Sequence, residues 1–67
     1  MSRTLIFYTP EGTIVGKTSY PDAPGYFERQ THPMTSLKME IHSSLSATIE
    51  LYEVDTSTQP HQLRRKP

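Results

Sequence analysis

Three histidines, seven acidic residues and a scatter of serines are the groups in this chain with the means to do chemistry. The histidines stand at His32, His42 and His61. A metal site needs His, Cys or carboxylate ligands gathered at short spacing on a shared element. His42 lies two residues from Glu40 on what reads as the outward side of a strand, and a solvated strand face accounts for that pair without a metal. His32 precedes Pro33 and reads as a loop residue. General acid–base catalysis needs a carboxyl or imidazole held in a pocket. Glu11, Asp22, Glu28, Glu40, Glu50 and Glu53 fall mostly at positions expected to face water. No serine sits in a Gly-x-Ser-x-Gly elbow. Gly12-x-x-x-Gly16 does not read as a phosphate loop, because no helical pattern follows it. The expectation is a non-enzymatic chain with no catalytic, cofactor-binding or metal-ligating residues, and hence no cofactor.

Such groups would have to be positioned by a small core. The chain has 67 residues, no cysteine, no tryptophan and 33% apolar residues. One domain is the most it can form. A chain of this size buries only about 60% of its unfolded surface, and small domains commonly add disulfides, a metal or oligomerisation. Disulfides are closed to it. The lack of cysteine fits a reducing compartment. The formal net charge is zero, which argues against a protein that coats nucleic acid and against an acidic mimic of it. The charge is uneven, since Arg64, Arg65 and Lys66 crowd the C-terminal end against Asp55 alone. The apolar run Leu5–Tyr8 is shorter than the region of about 7–15 residues that a signal peptide needs. No run approaches the roughly 18 residues of a membrane span. The expected location is a virion or the cytoplasm.

The elements follow from periodicity and turn chemistry. Residues 3–9 read as a strand of aromatic and β-branched residues. Pro10 presets the first turn position, and Gly12 can take the left-handed conformation that closes a three-residue loop with a bulge. Residues 13–19 return as a second strand, with Gly16 a bulge or point of close approach. A Pro10-Glu11-Gly12 loop sets Tyr8 opposite Ile14, Phe7 opposite Val15 and Ile6 opposite Gly16. One face then carries Leu5, Phe7 and Val15, and the other Ile6, Tyr8 and Ile14. Both are apolar, as in a strand buried between two layers. Residues 20–34 form a long ordered loop around Pro21, Pro24 and Pro33, pinned by Tyr20, Tyr26 and Phe27, with room for one helical turn at 25–30. Residues 37–51 alternate apolar and polar, which predicts strands. Parity is kept through His42-Ser43-Ser44, so either a three-residue hairpin loop or one long bent strand fits. A helical stripe through Met34, Leu37, Ile41, Leu45, Ile49 and Tyr52 leaves Met39, Ala47 and Leu51 off it, which favours strands. Residues 55–67 are polar and aperiodic, and read as a flexible basic tail. The expected fold is all-β: a β domain over residues 1–54, built as a small antiparallel sheet or partly open barrel of three to five strands, with the tail beyond it.

Two apolar faces on one hairpin leave the second without an obvious cover. This points to a protein-binding or assembly subunit, a homo-oligomer or a partner-bound chain, acting through an apolar sheet face or edge. The residues expected to meet the partner are Ile6, Tyr8, Ile14, Tyr26, Phe27, Arg64, Arg65 and Lys66. The competing arrangement is a monomer in which the 37–51 segment and the 20–34 loop cover both faces. The competing function is a small β-barrel that binds nucleic acid. Its aromatics (Phe7, Tyr8, Tyr20, Tyr26, Phe27) would stack bases, and Arg3, Lys17, Arg29 and the basic tail would meet phosphates.

The stretch IFYTPEGTIVG, residues 6–16, resembles the opening of small proteins common in tailed-phage genomes. These begin with an apolar–aromatic strand, a Pro/Asp-x-Gly turn and a Gly-x-Ile-x-Gly return strand, here Gly12-Thr13-Ile14-Val15-Gly16. The resemblance implies a virion accessory, tail-associated or host-interaction protein. It covers about a sixth of the chain and transfers no functional residue.

Overall fold

The turn chemistry at Pro10-Glu11-Gly12 organises the first third of the molecule. The Gly12 amide donates to the Thr9 carbonyl at 2.8 Å and the Thr9 amide to the Thr13 carbonyl at 2.9 Å. Gly12 takes φ +91°, the left-handed value that a loop of this length demands of its last residue. The computed structural model, which describes residues 2–67, joins β1 (Ser2–Tyr8) to β2 (Ile14–Pro21) across this turn. A third strand, β3 (Lys38–Ile41), pairs with the other side of β1, so the sheet runs β2-β1-β3. A second sheet pairs β4 (Tyr52–Asp55) with β5 (Gln62–Arg65). All three pairings are antiparallel. The chain is therefore a small all-β fold of two open sheets, and the partly open barrel is not formed.

The register differs from expectation by one bulge. Tyr8 does face Ile14, but Phe7 faces Gly16 and Ile6 faces Lys17, with the irregularity between Phe7 and Tyr8. Val15 is the extra residue. The bulge keeps both side-chain sets where the turn placed them. Leu5 and Phe7 pack with Tyr20, Val15 and Phe27. Ile6 and Tyr8 pack with Ile41, Val54, Ile14, Leu45, Ile49 and Leu63. Gly16 also serves close approach, since a Cβ there would meet the His32 ring at 3.2 Å.

Each face has its own cover. The Leu5/Phe7 face is closed by the 20–37 loop. Phe27, on the helical turn α1 (Tyr26–Arg29), stands edge-on to Tyr20 at 5.8 Å, and His32 lies over Phe7 at 5.2 Å. Lys38 ties this loop down. Its ammonium donates to the carbonyls of Phe27, Glu28 and Gln30 at 2.7, 3.2 and 2.8 Å, and sits 4.9 Å from the Phe27 ring centre. These carbonyls lie at the end of a helical turn, where a cation is favoured, and that of Phe27 also accepts from the Gln30 amide.

The Ile6/Tyr8 face is closed by two segments whose structure departs from the sequence expectation. Residues Ser43–Leu51 form 3-10 turns with a kink at Thr48, not a strand. The His42 ring nitrogen accepts from the Ser44 amide, and the Ser44 hydroxyl is 2.8 Å from the same atom. Local bonds of this kind compete with a ladder. Leu45 and Ile49, four apart, turn inward, while Ala47 and Leu51 stay exposed. The helical stripe set aside on the sequence is thus the one used beyond His42. The second departure is residues 55–67, which carry β5 instead of a tail. Leu63 packs on the core, and Arg64 bonds Glu53 at 2.6 Å. A hairpin that buries one side chain has no periodicity to display.

The two sheets meet at the turn. The Val54 amide donates to the Gly12 carbonyl at 2.9 Å, and any Cβ at Gly12 would collide with the Val54 carbonyl. Gly12→Ala therefore combines left-handed strain with displacement of β4. We expect a loss of about 2–4 kcal/mol in denaturant melts. Gly25 has φ +88° but open space around it, so Gly25→Ala should cost only about 1–2 kcal/mol. Equal losses at both positions would show that the β4 junction carries no weight.

Candidate functional site

Most residues with chemical potential are already committed to the fold. Arg3 bonds Asp22 at 2.5 Å and Glu40 at 2.6 Å, clasping the ends of all three strands of the first sheet. Arg64 pairs with Glu53 at 2.6 Å and lies 3.6 Å from Asp55. The His32 Nδ1 accepts from the Met34 amide at 3.1 Å. His61 Nδ1 is 2.8 Å from the Tyr8 hydroxyl, and burial pushes the Tyr8 phenol above its ordinary pKa. Gly16-Lys17-Thr18 has the residue types of a phosphate-loop ending. These residues lie inside β2, extended and followed by no helix, so their amides do not form a cradle.

The eight residues expected to meet a partner are scattered. Ile6 and Tyr8 are 0% and 4% exposed, covered by Val54, Leu45, Ile49 and Leu63 from the same chain. They have no surface to offer another molecule, and the uncovered second face of the hairpin does not exist. Phe27 packs on the opposite face against Tyr20. Tyr26 beside it is exposed, with Arg29 5.5 Å over its ring. Arg64 is held by Glu53. Arg65 is exposed opposite Tyr52. Ile14 and Lys66 are the two of this set that come together, as walls of a groove of about 400 Å³. Ile49, Tyr52, Lys17, Glu11, Glu50 and Glu53 also line it, with Gly12, Thr13 and Gly16 beside them. The aromatics expected to stack bases are mostly spent as well, since Phe7, Tyr8 and Tyr20 are core.

With side chains occupied, the backbone becomes the candidate. Tyr8 directs its amide to the Leu37 carbonyl, and its own carbonyl accepts from Thr35 Oγ1, so its polar groups turn toward β3. Alternation along a strand then turns those of Ile6 and Thr4 the same way, and those of Phe7, Leu5 and Arg3 toward β2. Across the ladder, Ile14, Lys17 and Ser19 stand opposite Tyr8, Ile6 and Thr4. Their N–H and C=O groups therefore point away from β1. Among the described residues, none of the backbone bonds made outside the strand ladders involves these groups. The one side-chain contact is the long 3.4 Å bond from Thr18 Oγ1 to the Ser19 carbonyl.

β2 is the longest strand and an edge strand. Proteins commonly guard such edges with lysine. Lys17 is the one charged residue on β2, but its ammonium is turned onto the Ser46 carbonyl at 2.6 Å. The edges of β3 and β5 span four residues each. Sequence reasoning expected a sheet face or edge but did not single out that of β2, because the contact residues it named were chosen by side chain. The available signal was the second strand's centre, Lys17-Thr18-Ser19, which is polar on a hairpin otherwise apolar.

The β4–β5 hairpin carries the clearest electrostatic signature. The Asp55 carboxylate accepts from the Ser57 hydroxyl at 2.5 Å and from the Ser57 amide at 3.0 Å. These bonds, with Arg64 behind them, hold its pKa below the usual carboxylate value. A lowered folded-state pKa contributes stability that is complete above the unfolded value and is lost as pH falls through the folded one. The protection of β4 and β5 amides, relative to the intrinsic exchange rate at each pH, should therefore fall below about pH 4, and Asp55→Asn should flatten that dependence. Parallel pH profiles for the two proteins would dismiss Asp55 as its source. No helix among the described residues is long and apolar enough to cross a membrane. Comparison with protein-family models finds no match, and neither do searches of curated proteins and of solved structures.

Proposed function

We propose that this chain is a non-enzymatic protein-binding subunit that engages its partner by strand addition at the open edge of β2. The observation that carries the reading is the set of outward amides and carbonyls at Ile14, Lys17 and Ser19, on a sheet whose two faces are already covered from within the chain. In strand addition the main chain supplies affinity and neighbouring pockets supply selectivity. The groove walled by Ile14, Ile49 and Tyr52 adjoins the first residues of β2 and suits an apolar side chain of the incoming strand.

The commitment of Arg3, Asp22, Glu40, Glu53, Asp55 and the histidines to structural bonds supports a non-catalytic role. The likeness of residues 6–16 to small tailed-phage proteins supports a setting in a viral assembly. Nucleic-acid binding draws less support. Its stacking residues are mostly buried, and Lys17 and Lys66 share their groove with Glu11, Glu50 and Glu53.

Proline is tolerated on an edge strand where its missing N–H would face outward. Ser19→Pro should keep the fold and lose binding, while Thr18→Pro, whose amide faces β1, should cost about 3 kcal/mol or more. A displayed library of random linear peptides selected on the wild-type chain should yield binders that fail on folded Ser19→Pro. Binders that hold both proteins equally would place recognition elsewhere. Salt-sensitive retention of a single-stranded oligonucleotide, unaffected by Ser19→Pro, would favour the nucleic-acid reading instead.

A further inference from the structure

We infer that the strand added to β2 is the β2 of a second copy of this chain, paired antiparallel about a twofold axis at Thr18. The inference rests on the reading of β2 as the binding edge, and the register of β2 admits a second copy of itself in one alignment. Two identical antiparallel strands must set outward-facing residues opposite outward-facing residues to exchange their hydrogen bonds. On β2 these are Ile14, Lys17 and Ser19, with Pro21, opposite Ser2, at the end of the ladder.

An axis at Lys17 would set the two lysines directly opposite each other, like charges on one face of the pair. An axis at Ser19 would set Lys17 opposite Pro21, which has no N–H to give. An axis at Thr18 avoids both faults. Each Lys17 then meets Ser19 of the other copy, and the two such pairs can each exchange both backbone bonds. Thr18 meets Thr18 in the non-hydrogen-bonded position, where side chains come closest and paired threonines are favourable.

The charge pattern also permits it. The one charge on β2 is drawn toward Ser46, and the formal net charge of the chain is zero, so no long-range repulsion separates the copies. The product is a continuous six-stranded sheet, β3-β1-β2-β2-β1-β3, two copies of the observed three-stranded order. Its interface is isologous. Both covered faces continue across the junction, and neither core has to open.

Sedimentation of the full chain across micromolar to millimolar concentration tests the inference. The wild type should show a reversible monomer–dimer equilibrium. Ser19→Pro should weaken association about tenfold or more with an unchanged circular dichroism spectrum, since it removes one donor from each copy. Thr18→Lys and Thr18→Glu should each be monomeric, because each sets like charges across the axis. An equimolar mixture of these two should associate again, an outcome specific to the Thr18 register. A wild type monomeric throughout the range overturns self-pairing. If the peptide selection still succeeds, only the identity of the occupant falls. If that fails too, the β2 edge itself is not the binding surface. Folded Ser19→Pro that dimerises like the wild type also overturns the inference, as does failure of the charge-swapped pair to associate.

Discussion

β1 is apolar on both faces, and the rest of the molecule is arranged around that fact. Leu5 and Ile6 are adjacent in sequence, point to opposite sides, and are both fully buried. A single central strand therefore demands two hydrophobic layers from a chain with few apolar residues. Burying a large apolar side chain is worth about 1.5–3 kcal/mol, so neither layer can be left open without losing much of a small domain's stability. The chain meets this demand by splitting its remainder in two. Residues between β2 and β3 cover one side, and residues after β3 cover the other.

This division explains why so little side-chain surface is left for function. The aromatics that would make a stacking platform are needed as core. The carboxylates of Asp22, Glu40, Glu53 and Asp55 are taken up in clasping strand ends and hairpins. Exposed ion pairs of this kind contribute little each, about 0–1 kcal/mol, but they fix geometry at the margins of thin layers. What is not consumed is the backbone of the outer strand. A sheet of three strands has two edges, and only β2 presents a long one.

The hairpin was legible in the sequence because its determinants are local. Pro10 and Gly12 select the turn, the turn selects the opposition of Tyr8 and Ile14, and alternation sorts the two apolar sets. The loop pins at Tyr20 and Phe27 were legible for the same reason: they are the large apolar residues available in a proline-broken stretch. The segment from Ser43 to Leu51 was not legible, because the chain changes period at His42 while the odd-numbered residues stay apolar on either side. β5 was not legible because its one core residue, Leu63, makes no pattern alone. These two misreadings left Ile6, Tyr8 and Ile14 without a cover, and that apparent vacancy made them look like an interface. A binding edge was expected but not located, because unpaired amides leave no mark on residue type.

The Tyr8–His61 bond joins residues 53 positions apart in sequence. The opposite face is completed within residues 2–38 by the loop that Lys38 clamps. The two covers thus differ in the length of chain that must be closed to install them. Loop closure costs more as the loop lengthens, and β4–β5 repays it with one buried valine, one half-buried leucine and a few polar bonds. Loop-closure length thus ranks the two covers: the hairpin–loop unit is expected to be the more stable, and the β4–β5 lid the part that opens first. Opening of that lid would take Val54, Leu63 and His61 off the Ile6/Tyr8 face and leave Leu45 and Ile49 on it.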